Sequence, residues 1–139
     1  RADAAEDLKT DEDRSKEKEM APVVEKIKTA LGDRVKDVRA SSRLSDSPSC
    51  VVADQDDPTV QMQQIMKMMG KDFQEEFKPI LEINPSHPIV MKMADISDEA
   101  LLGDISLLLL EEAMIVEGME VKNPAEFSAR LNRLLVKAL

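Results

Sequence analysis

Four consecutive leucines, Leu107 to Leu110, lie in a stretch that also holds Leu102, Ile105, Ala113, Met114, Ile115 and Val116. At about 100° per residue, four adjacent side chains point around most of a helix circumference, and one neighbour cannot cover them all. A helix that is apolar nearly all round is expected inside a large core. With 139 residues the chain has room for one domain and a modest core. A second copy would supply the missing cover; alternatively, the helix fills the core of a single chain.

The last helix has a different pattern. Asn123 is a good cap, Pro124 suits the first helical position, and the helix is expected to run to about Ala138. Phe127, Leu131, Leu134, Leu135 and Ala138 form one stripe, opposite Arg130, Arg133 and Lys137, so one face packs and one is wet. Two such hairpins about a twofold axis would build a four-helix bundle in a homodimer. The candidate interface residues are Leu102, Ile105, Leu108, Leu109, Ala113, Phe127, Leu131, Leu134, Leu135 and Ala138.

Residues 1–20 are dominated by charge and predict a linker or frayed helix; residues 21–139 predict the folded domain. Pro22 suits a helix start, Val23, Val24, Ile27 and Leu31 form its apolar stripe, and Gly32 can end it. Short strands are expected over Arg34 to Ala40, Cys50 to Ala53 and Ile80 to Ile83. Between the last two, Pro58 to Gly70 carries Met62, Ile65, Met66 and Met69 at helical spacing, with Gln63, Gln64 and Lys67 facing elsewhere. A brief helix over Pro88 to Ala94 and a long one over Asp98 to Val116, stopped by Gly118, complete the reading. The fold class is α+β: a small three-stranded sheet, flanking helices and a C-terminal helical hairpin.

Nine methionines stand against three aromatic residues, all phenylalanine. The methionine stripe has an ordinary reading, packing against the sheet, and a functional one, since flexible thioethers repack around varied apolar partners. Met62, Met66 and Met69, or Met91 and Met93, also permit a copper(I) site, although amphipathicity alone explains their spacing. Asp54, Asp56 and Asp57 resemble part of a calcium loop but lack its Gly and final Glu. A phosphate loop at Gly70-Lys71 would need Gly at position 65 and Ser or Thr at 72, where the chain has Ile65 and Asp72.

His87 lies between Pro85 and Pro88 and reads as a structural turn, and no nucleophile–base motif is visible. A net charge of -9, with basic residues scattered among acids, disfavours nucleic acid. No stretch reaches the roughly 18 apolar residues of a membrane span. The single Cys50 allows no internal disulfide and fits a reducing compartment.

Leu81-Glu82-Ile83-Asn84-Pro85-Ser86-His87-Pro88, Arg43-Leu44 followed by Ser47-Pro48, and the ending Arg130 to Leu139 carry a resemblance to a known family. From Val23 onward the chain resembles the C-terminal domain of the heat shock protein 90 chaperones. The resemblance implies homodimerisation through the last two helices and an exposed amphipathic helix that contacts client polypeptides. It implies client contact at Met62, Ile65 and Met66, to which the helical stripe adds Met69; some family members carry Met where this chain has Pro58, which shortens the helix. It also implies that ATP and magnesium bind in a separate N-terminal domain, assisted by a middle domain, and that this segment is not itself an enzyme. The ending at Leu139 without an acidic M-E-E-V-D tail fits a bacterial, cytoplasmic member or an organellar one. The competing reading is a homodimeric scaffold without client binding.

Overall fold

The computed structural model describes residues 11–42, 46–69 and 78–139. Arg43, Leu44, Gly70 and Lys71, singled out above, lie outside these residues. A helix α1 covers Asp11–Glu19 and leads into α2, Ala21–Leu31. Within α2, Val23, Ile27 and Leu31 are buried at a spacing of four, on one stripe. Gly32 ends it with φ 54, its N–H donating to the Lys28 carbonyl, a left-handed turn that a Cβ would strain.

A single 3-10 turn, Gly32–Arg34, shortens the first strand at its start, so β1 is Asp37–Ala40. β2 is Ser49–Val52, one residue earlier than the apolar run, and β3 is Ile80–Ile83, as expected. The sheet order is β1-β3-β2. β1 pairs parallel with β3, Val38 against Leu81, and β2 pairs antiparallel with it, Val51 against Leu81. The central strand is buried at all four positions. Its one charge, Glu82, has strand neighbours on both sides: Arg39 Nη2 lies 2.7 Å from Oε2 and Cys50 Sγ 3.7 Å from Oε1.

After β2, α3 covers Val60–Met68, and Thr59 Oγ1 accepts from the Met62 N–H at 3.2 Å, so the helix starts two residues after Pro58. The Asn84-Pro85-Ser86-His87 turn follows β3. Asn84 accepts from the Ser86 N–H and donates to the Ser47 carbonyl. His87 caps the short helix α4, Pro88–Met93, its Nδ1 accepting from the Ile89 N–H at 3.2 Å. His87 thus starts the helix that leaves this turn, a structural role as expected. The long α5, Glu99–Val116, begins at Asp98, whose carboxylate accepts from Ala100 and Leu101, and α6 covers Pro124–Ala138 under an Asn123 cap.

α5 packs on α2, β2 and α6. Its buried residues are Leu102, Ser106, Leu109, Leu110, Ala113 and Met114, a single stripe at helical spacing. The leucine run therefore divides: Leu109 and Leu110 enter the core, while Leu107 and Leu108 are half-buried. With Ile27, Leu81, Ile83, Val90 and Met93 they form one continuous core. Ser49 Oγ donates to the Leu109 carbonyl at 3.0 Å, a polar tie between sheet and helix inside that core.

Candidate interaction surfaces

The first surface is α3. Its stripe faces outward: Met62 is 50% exposed, Ile65 48% and Met69 66%, with Met66 half-buried, and Met68, off the stripe, is 86% exposed. Packing of this stripe against the sheet, the ordinary expectation for such spacing, is not what the fold adopts. The opposite side of the helix makes the polar ties. Gln63 Nε2 donates to the Pro58 carbonyl at 2.8 Å and Gln64 Nε2 to the Glu117 carbonyl at 2.8 Å.

The second surface is the α5–α6 hairpin. Leu102, Leu109 and Ala113, expected at an interface, are 7%, 1% and 3% exposed within the single chain. These three belong to its own core and have no area left for a second copy, because α2 and β2 already cover that side of α5. Ile105 and Leu108 are half-buried on another side, and Leu101, which sequence reasoning passed over, extends their stripe by one turn. On α6, Phe127, Leu131 and Leu134 are half-buried, whereas Leu135, Val136 and Ala138 are exposed.

The wet face expected for α6 needs correction. Arg130 is only 6% exposed, and its Nη1 donates to Glu111 Oε1 at 2.7 Å. Arg133 grips Asp104 with two bonds of 3.0 Å. Asp104 and Glu111 are seven residues apart on one side of α5 and meet basic residues three apart on α6, each spacing keeping its pair on one helical face. Two ion pairs thus dock α6, and part of its apolar stripe is turned away from the rest of the chain. The signal in the sequence was the matching of spacings across the turn, which single-helix periodicity does not weigh.

The two carboxylates respond oppositely to pH. The hydrogen bond from Arg133 holds Asp104 below its ordinary value of 3.8. Burial pushes Glu111 above its ordinary 4.5, against the pull of Arg130. Folded Asp104 takes its proton less readily than unfolded, so its stabilisation is present above pH 3.8 and is lost as pH falls through its depressed value. Folded Glu111 takes its proton more readily, so its contribution is fullest below pH 4.5 and declines as pH rises through its raised value. Urea denaturation at intervals between about pH 3 and 7 is expected to show Asp104→Asn flattening the fall of stability in acid. Glu111→Gln should make stability climb more steeply as pH rises from 4.5. Parallel profiles for parent and variants would mean that neither carboxyl shifts on folding.

Among the described residues no three His, Cys, Asp or Glu side chains converge as metal ligands, and no helix is long and apolar enough to cross a membrane. A sheet packed with helices, an outward methionine helix and a partly uncovered apolar hairpin define an α+β domain with two open apolar surfaces. The Hsp90 protein family model matches residues 2–139, and the chain belongs to the Hsp90 family. It is 50% identical over 139 residues to the chaperone protein HtpG of Treponema denticola, covering 97% of this chain and 22% of that relative. It is 44% identical over 128 residues to HtpG of Treponema pallidum, covering 92% and 20%. With HtpG of Psychromonas ingrahamii the identity is 45% over 128 residues, again 92% and 20%. The chain thus spans about a fifth of the length of these relatives.

Proposed function

We propose that this chain is the dimerisation and client-binding segment of an ATP-dependent chaperone. The observation that carries the reading is α3, which turns Met62, Ile65 and the adjoining Met69 to solvent while Gln63 and Gln64 on its other sides are bonded to the chain. An exposed face of flexible apolar side chains suits partners of varied shape, as unfolded polypeptides are. Two copies join through Leu101, Ile105 and Leu108 of α5 and Phe127, Leu131, Leu134, Leu135 and Ala138 of α6, forming a four-helix bundle. In the whole protein, ATP and magnesium would bind in the N-terminal domain and the middle domain would assist. Tethering by this segment raises the effective concentration of the two ATPase domains for each other. The bacterial relatives favour the bacterial cytoplasm as its compartment.

Two measurements on the chain test this: its mass in solution by light scattering, and its capture of a reduced, carboxymethylated protein that stays unfolded. A dimer that binds the unfolded probe is expected. The double variant Met62→Ser, Ile65→Ser should keep parental stability within about 0.5 kcal/mol per substitution, because both side chains are half-exposed. It should bind the probe about tenfold more weakly. A dimer that ignores the probe would leave only the scaffold reading.

A further inference from the structure

We propose that Gln64 is the positioning residue of the methionine helix, tying α3 to the turn of the α5–α6 hairpin and thereby setting how strongly α3 binds. The proposal rests on the reading of α3 as a client-binding helix and adds the device that aims it.

The end of α5 explains why the tie falls there. A helix terminus leaves its last carbonyls without intrahelical partners. Here the N–H groups of Glu117, Gly118 and Met119 return to the carbonyls of Ala113, Ile115 and Met114. Gly118 makes this return with φ 81, a conformation costly for other residues. The Glu117 carbonyl, at the apex of the same turn, accepts from Gln64 Nε2 at 2.8 Å. A Cβ on Gly118 would sit 3.6 Å from that nitrogen, an ordinary contact, so the glutamine amide lies directly against the turn.

On α3, Gln64 stands on the side opposite Met62, Ile65 and Met69. Holding the amide at the turn therefore turns Met62, Ile65 and Met69 away from it, toward solvent. The tie also joins the two candidate surfaces: a movement of α5 against α6 at their turn moves the anchor of α3. Preorganising a binding face lowers the entropy lost on capture, and release of the tie should weaken binding without removing any apolar contact.

The test uses Gln64→Glu, which keeps the shape but sets a carboxylate against the carbonyl, and Gln64→Lys, which keeps a long donor. Hydrogen exchange by mass spectrometry reads the order of α3, and the reduced, carboxymethylated protein serves as binding probe. Gln64→Glu is expected to speed exchange in Val60–Met68 about three- to tenfold while leaving Ile80–Ile83 unchanged, the effect of one net hydrogen bond. It should weaken probe binding by a similar factor, and Gln64→Lys should restore both. Unchanged α3 exchange in Gln64→Glu would overturn the proposal, as would faster exchange with parental probe binding. If the parent itself fails to bind the probe, the client-binding reading falls and Gln64 loses its role in binding, while the exchange rates still decide whether the tie holds α3.

Discussion

Leu135→Glu is expected to split a dimer of this chain into folded single chains. Leu135 is 49% exposed when the chain is alone, on a helix whose docking is carried by Arg130 and Arg133. A carboxylate there costs the single chain little. Buried against a second copy it would be an uncompensated charge. Twofold symmetry counts the loss twice, so about 2 kcal/mol per copy gives about 4 kcal/mol and a roughly thousandfold weaker dissociation constant. Light scattering across a dilution series should return the single-chain mass, with the circular dichroism of the parent retained. Leu134→Glu is a less clean test, because Leu134 is half-buried within the chain itself. Parental mass in Leu135→Glu at every dilution would remove this face of α6 from the interface.

Arg130→Met should be the most destabilising single change in the hairpin. The Arg130 side chain is only 7% exposed, and that of its partner Glu111 only 15%. Arg130 Nε is also buried without a hydrogen-bond partner among the described residues. Removing Arg130 leaves the Glu111 carboxylate, already pushed above its ordinary value by burial, with no opposing charge, which typically costs about 3 kcal/mol or more. The pair replaced together, Glu111→Leu with Arg130→Met, should lie within about 1 kcal/mol of the parent, since removing both charges also removes their desolvation cost. Urea unfolding measures both. A single-variant loss below about 1 kcal/mol would mean that solvent reaches the carboxylate.

The elements of this protein were legible in its residues because local signals agree. Proline at helix starts, Asp98 and Asn123 as caps, and Gly32 and Gly118 as stops set all but the first of the helix limits to within two residues. β3 was legible because Ile80 to Ile83 lies between Pro79 and Asn84-Pro85. The membership of its family was legible in the segment from Leu81 to Pro88. The helix Asp11–Glu19 is anchored by contacts distant in sequence, Glu17 to Ser42 and Lys16 to Ser86, which no local pattern displays.

Periodicity tells which residues share a helical face but not which neighbour that face meets. The leucine run read as too apolar for one chain, yet α2, β2 and α6 between them cover much of it. Arg130 read as a solvated charge, yet Glu111 across the turn draws it into the interior. The spacing of the methionine stripe favoured packing against the sheet over an exposed face. The stripe lies outward in the fold, where Gln64 on the other side of the helix bonds to Glu117, fifty-three residues further along the chain. Sequence by itself thus determined the helices, the strands and the family, because these follow from short-range periodicity, capping and a contiguous motif. Only the tertiary structure decided which charges are buried and which apolar faces remain open, since both depend on pairings between residues that the chain keeps far apart.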